Sequence, residues 1–264
     1  RARGIAFGHT RSAQPMTTTA AMARRTSALG RCRPQCSPAR RRVLFDVGSN
    51  NGAWTAAYLT THPDAAAFLL EPNPRFEEEL HLIETRYDAV HVRAAAWIAD
   101  GNATFHFSRN DESSSLIAGR ADKWASTAPR GRAFACRPAS TLGTATAYAR
   151  RPEVWNGSIP RRHGRSAVCD EPRRRRVATV DLARLVSCAA CPSDRLELHL
   201  DIEGAEYEVL RHLLARGAAC RFRSMMAVEW HETSVRSRAA ASRERQVILN
   251  SLRACGVRVV REAR

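Results

Sequence analysis

Short apolar runs alternate with stretches whose apolar residues recur every three or four positions, and this alternation organises the chain from residue 43 onward. Val43 to Val47, Ala67 to Glu71, Val90 to Arg93, Leu196 to Leu200 and Met225 to Glu229 read as buried strands, too short for helices. Ala53 to Thr61 reads as the first helix. Arg75 to Tyr87 carries Phe76, Leu80, Ile83 and Tyr87 at helical spacing, with Glu77, Glu78 and Glu79 near its start, where the helix dipole favours acids. Ala205 to Arg216 follows the fourth strand and is closed by Gly217. Asp100-Gly101-Asn102 marks a turn, and the alternation Thr104-Phe105-His106-Phe107 predicts a hairpin arm. Strands alternating with helices predict an α/β fold over residues 42–264: a doubly wound, mostly parallel sheet with helices on both faces.

The first strand runs directly into Asp46-Val-Gly-Ser-Asn-Asn-Gly52, and Glu71-Pro72 ends the second strand 19 residues after Gly52. A buried strand that delivers the chain to a Gly turn, with a helix N-terminus behind it, is the arrangement of a nucleotide-type cofactor site. An acid at the end of the second strand is placed to take a ribose diol. The loop reads G-x-N-x-G and lacks the third Gly that admits a pyrophosphate, so S-adenosylmethionine is expected rather than a nicotinamide cofactor.

The first, second, fourth and fifth strands end at Asp46, Glu71, Asp201 and Glu229, all acidic. In open sheets of this kind ligands sit beyond the carboxyl ends of the strands, and four carboxylates there suit a sulfonium cation and repel a pyrophosphate. Asp201 is the expected general base or acceptor-orienting group, with His231 as the alternative base beside Glu229. Glu203 and Glu206 are one turn apart, so their carboxylates either converge on Asp201 or serve as acids favoured at a helix start.

Beyond these residues the chain resembles the FkbM-type methyltransferases, a branch of the class I S-adenosylmethionine-dependent enzymes with a Rossmann-like fold. The resemblance rests on FDVGSNNG (Phe45 to Gly52), LLEPNP (Leu69 to Pro74), Ala94-Ala95-Ala96, Ser113-Ser114-Ser115-Leu116, VATVDL (Val177 to Leu182), LDIEGAEYEVL (Leu200 to Leu210) and AVEWH (Ala227 to His231). It covers about residues 43 to 260, apart from one long unmatched stretch. It implies that Asp46, Gly48, Asn50 and Gly52 hold the methionine moiety, that Glu71 binds the ribose hydroxyls, and that Ala96 and Trp97 face the adenine. Core packing is the alternative for Trp97. It further implies methyl transfer to a hydroxyl of a glycan or other small polyhydroxylated acceptor. The chain departs from the family pattern at His199, where a lysine is common, and at Ser49, where alanine is common. The sheet is also expected to lack the seventh strand that such enzymes add, since the chain stops soon after Val260.

Charge changes this picture less than its total suggests. The formal net charge is +16, yet residues 1–45 hold ten Arg and no acid, and residues 129–176 hold twelve Arg against Glu153, Asp170 and Glu171. The rest of the chain is close to neutral, so nucleic acid is not an expected partner of the motif-bearing part. A non-catalytic basic module that binds nucleic acid or an acidic surface is the second reading; salt-sensitive binding would mark it. Residues 1–41 have the composition of a transit-like or disordered basic tail, and about 123–176 that of an Arg-rich irregular insertion. No apolar run approaches the ~20 residues of a membrane span. Among eight cysteines, Cys188-Ala-Ala-Cys191 has the spacing of half a zinc site, but no matching half exists and no metal is expected. Sequons at Asn102 and Asn156 would permit glycosylation in a secretory lumen, while the tail composition points to an organelle, leaving the compartment open.

Overall fold

A computed structural model describes residues 41–108, 114–117, 134–136, 167–169, 174–222, 225–232 and 237–261. The basic tail up to residue 40, most of the Arg-rich insertion, Cys32, Cys36, Ser113 and the Asn156 sequon lie outside the described residues.

Six parallel strands form the main sheet: β1 (Arg42–Val47), β2 (Ala66–Leu70), β3 (Ala89–Val92), β9 (Arg195–Leu200), β10 (Met225–Val228) and β11 (Val259–Arg261), in the order β11-β10-β9-β1-β2-β3. The order reverses between β1 and β9, which places the topological switch point at the carboxyl ends of these two strands. The sheet is doubly wound and Rossmann-like, as the strand–helix alternation predicts.

Alternation along β1 explains why both faces are covered. Val43, Phe45 and Val47 point to one face, where they pack with Leu182, Leu185 and Val186 of α3 (Leu182–Ala189), Val209, Leu210 and Leu213 of α4 (Glu206–Ala215), and Ile248 and Leu252 of α5 (Arg238–Ala254). Phe45 stacks on Phe68 at 5.2 Å and meets Phe222 edge-on at 5.8 Å. Leu44 points to the other face and joins Leu59 of α1 (Ala53–Thr61) with Leu80 and Ile83 of α2 (Glu77–Arg86). Parallel strands buried on both faces read as continuous apolar runs, which is why their positions were visible in the sequence.

The hairpin expectation is met only at the end of the arm, where His106 pairs antiparallel with Ser115. β5 (Gly101–His106) is antiparallel to β8 (Arg174–Asp181), and β4 (Ala95–Trp97) is parallel to β8 on its other side, giving a second, three-stranded sheet. Most of the arm therefore pairs with a strand far along the chain. Phe105 and Phe107 pack with Ala95 and Val177 to form a small apolar cluster of their own. β6 (Phe134–Cys136) and β7 (Ala167–Cys169) pair antiparallel within the insertion. Cys220 and Cys255 form a disulfide that ties the turn after α4 to the end of α5, and Cys188 and Cys191 are disulfide-bonded as well.

Candidate functional site

A cleft opens beyond the carboxyl ends of β1, β2 and β9, lined by Gly48, Asn50, Glu71 and Pro72 and by Asp201, Ile202 and Glu203. Ala95, Ala96, Phe105 and Leu116 supply an apolar wall from the second sheet, and Ser114 a hydroxyl. Of this wall only Ala96 was read as a site residue, because β5 takes its place through pairing with β8, and the 114–116 segment through the pairing of Ser115 with His106.

Gly48 and Gly52 are explained by packing more than by ligand approach. At φ +84, Gly48 carries the chain across the end of β9, and a Cβ there would lie 1.8 Å from the Asp201 carbonyl oxygen. At φ +73, Gly52 starts α1, and a Cβ would lie 2.2 Å from Ile83 Cδ1. Gly48 borders the cleft; Gly52 stands behind it, against α2.

Asp46 turns away from the cleft. It is fully buried, accepting from the Thr55 hydroxyl and, at 2.7 Å, from Nδ1 of His199, whose ring stacks on Trp54 at 4.2 Å. His199 thus places its ring opposite Asp46 and ties β1 to β9. Removing Asp46 strands buried donors on both neighbours. The Asp46→Ala variant is expected to lose about 3 kcal/mol of stability, read as a lower thermal midpoint for the whole domain.

Glu71 faces the cleft while being 7% exposed. Its Oε2 accepts from the Asn50 N–H at 2.9 Å and its Oε1 from the Asn73 N–H at 2.8 Å, so the acid folds the glycine loop onto the end of β2. Burial raises its pKa to about 7, against the pull of the Asn73 and Asn50 amides and with a further push from Asp46. A carboxylate so held has lone pairs left for a pair of ligand hydroxyls. Trp97, by contrast, packs on the main core, as its alternative reading had it.

Around His231 the predicted acids do converge. His231, 1% exposed, donates Nδ1–H to Glu206 Oε1 at 2.7 Å, and its Nε2 stands 3.3 Å from Glu203, 3.4 Å from Glu229 and 3.7 Å from Asp201. Glu206, fully buried, also accepts from the N–H groups of Ile202 and Gly204, which shapes the turn where Glu203 adopts φ 58. Its role is therefore structural and local, combining both sequence readings. Burial alone would lower the His231 pKa, but the Glu206 hydrogen bond, then Glu229 and Glu203, outweigh it and raise it well above the usual histidine range. Burial, then the Glu229 charge, raises Asp201 above the usual carboxylate range, with His231 opposing. Of the five, Asp201 and Glu203 reach the cleft lining.

The cleft therefore brings together the loop-anchoring carboxylate of Glu71, an apolar wall, and the acids Asp201 and Glu203. No family model, curated protein or solved structure matches this chain.

Proposed function

We propose that this chain is an S-adenosylmethionine-dependent O-methyltransferase acting on a hydroxyl of a glycan or small polyhydroxylated acceptor. The observation that carries the reading is the use of the glycine loop's own donor: the Asn50 N–H is bonded to the Glu71 carboxylate. In a pyrophosphate-binding loop such amides face the phosphates. Here a pyrophosphate would meet Glu71, Asp201 and Glu203, and no Arg or Lys is among the described residues lining the cleft. A cationic sulfonium with a ribose diol and an amino group is the complementary ligand. The motif resemblance supports the same assignment and is the source of the acceptor class.

In this reading Gly48 and Asn50 border the methionine moiety, Glu71 takes the ribose hydroxyls, and Ala96 with Phe105 and Leu116 bounds the adenine. Asp46 and Gly52 hold the loop in place from behind. The acceptor hydroxyl approaches the cofactor methyl from the Asp201 side, its oxygen forms the new C–O bond as the C–S bond breaks, and its proton passes to Asp201. Alignment of oxygen, methyl and sulfur supplies most of the acceleration. Glu206 and His231 hold the Asp201–Glu229 side rigid.

Label transfer from methyl-labelled cofactor to a panel of glycans and polyhydroxylated small molecules tests the reading. Transfer to a hydroxyl, reduced about 10²–10⁴-fold in Asp201→Asn, is the expected result. Transfer to nitrogen or carbon, or undiminished transfer by Asp201→Asn, would contradict it.

Cofactor affinity should also depend on pH through Glu71. Ribose hydroxyls donate to the ionised carboxylate, so binding favours the deprotonated form and weakens as pH falls through about 7. Calorimetry is expected to give about tenfold weaker binding at about pH 6 than at about pH 8, with the dependence gone in Glu71→Gln.

A further inference from the structure

We infer that Asn102 carries an N-linked oligosaccharide, attached in the oxidising lumen in which the cysteines of this chain pair. The sequon Asn102-Ala103-Thr104 stands at the start of β5, just after the bend at Asp100. Burial alternates along this strand: Asn102 and Thr104 are exposed, Ala103 is half-buried, and Phe105 is buried with Ala95, Phe107 and Val177. The Asn102 amide and the Thr104 hydroxyl, the two groups that define the acceptor, therefore lie on the solvent side of the second sheet. Their partners across the strand pair, Ala178 and Arg176, are exposed as well, so this face is open among the described residues. Phe105, which lines the cleft, points to the other side, and an oligosaccharide at Asn102 leaves the cleft clear.

A second observation, chemically unrelated to the sequon, concerns the thiols. Cys220 and Cys255 are disulfide-bonded with their Cα atoms 4.9 Å apart, well within the span of such a bridge. Cys188 and Cys191 are disulfide-bonded too, and there is no free cysteine among the described residues. Disulfides persist in oxidising compartments such as the lumen of the secretory pathway, and are rare where glutathione and thioredoxin keep thiols reduced. Of the compartments that the sequence leaves open, sequon and thiols select the same one.

In the transfer, Asn102 Nδ2 attacks C1 of the first sugar of a lipid-pyrophosphate-linked oligosaccharide. The N–C1 bond forms, the C1–O bond to the pyrophosphate breaks, the lipid pyrophosphate leaves with that electron pair, and one amide proton passes to a base of the transferase. The step acts on the extended chain before it folds, so the fold has only to leave the oligosaccharide room. The inference stands apart from the methyl-transfer reading, since neither Asn102 nor these cysteines line the cleft.

The full chain is isolated from its own cells in N-ethylmaleimide without reductant, treated with peptide N-glycosidase in heavy-oxygen water, and cleaved with trypsin. Cleavage after Arg93 and Arg109 releases residues 94–109, in which Asn102 is the sole asparagine. An aspartate bearing one heavy oxygen at position 102 is expected, with Cys220 and Cys255 unreactive toward maleimide until reduced. In variants made in the same cells, a glycosidase-sensitive step in electrophoretic mobility is lost in Thr104→Ala and kept in Thr104→Ser, which preserves the sequon. Attachment precedes folding, so this comparison holds even for a variant that folds poorly. A 94–109 peptide found only unmodified, maleimide on Cys220 and Cys255 before reduction, or mobility unaltered in Thr104→Ala would each overturn the inference. Binding of S-adenosylmethionine by the isolated chain is measured in parallel, and its presence or absence leaves the modification standing.

Discussion

Replacing Gly48 by alanine is expected to abolish the cooperative thermal transition of the domain, at a cost on the order of 4 kcal/mol. The substitution meets two penalties at once. Its φ of +84 is a conformation that residues with a Cβ rarely adopt, and the new Cβ would lie 1.8 Å from the Asp201 carbonyl oxygen and 2.8 Å from its carbon. Backbone atoms at the end of a central strand cannot swing aside as a side-chain tip does. The loop and β9 must part, and they part at the cleft, since Gly48 and Asp201 both line it. Gly52→Ala is the comparison: its Cβ meets Ile83 Cδ1 at 2.2 Å and Leu80 Cδ2 at 2.9 Å, both ends of flexible side chains. It is expected to lose about half as much. Denaturant unfolding of the two variants checks the order, and a Gly48→Ala midpoint close to wild type would refute the crossing.

The second large effect is expected at Glu206. Truncation to alanine removes the acceptor for Ile202 N–H, Gly204 N–H and His231 Nδ1–H together, all in a region closed to water. Breaking a buried pair from one side costs about 3–5 kcal/mol, because the partner stays buried. Glu206→Gln keeps one oxygen acceptor and is expected to retain part of this. A thermal midpoint for Glu206→Ala well below that of Glu206→Gln is the predicted outcome; equal midpoints would mean that the carboxylate's several bonds do not act together. In the alanine variant the 202–204 turn loses its anchor, so Asp201 and Glu203 lose their placement at the cleft as well.

What the sequence made legible follows from how local each feature is. The central strands show as apolar runs because both faces of a parallel sheet are buried, and α1 (Ala53–Thr61) is found at the bounds read from the sequence. Acids at the ends of β2 and β9 were readable as cleft-lining residues because such clefts open at the carboxyl ends of the strands. α5 was not read: it buries only Ala241, Ile248 and Leu252 along 17 residues, a thin stripe in a polar stretch. β4 and β8 were seen only as motif fragments. β8 opens with Arg174, Arg175 and Arg176, all exposed, and gains its place from β4 and β5, far away in sequence. The role of Asp46 was hidden for the same reason, since its partner His199 is 153 residues away. Spacing can put an acid at a strand end, but which side it turns to depends on what the neighbouring strand offers.

The account stands or falls on the ligand of the cleft, and titration of the full chain with S-adenosylmethionine by calorimetry, with NAD as the control ligand, tests it most directly. Micromolar-range binding is predicted, weakened at least about tenfold in a Glu71→Ala chain that still unfolds cooperatively, with no heat from NAD. Binding of NAD in preference, or no binding of S-adenosylmethionine by a chain that unfolds cooperatively, would contradict it.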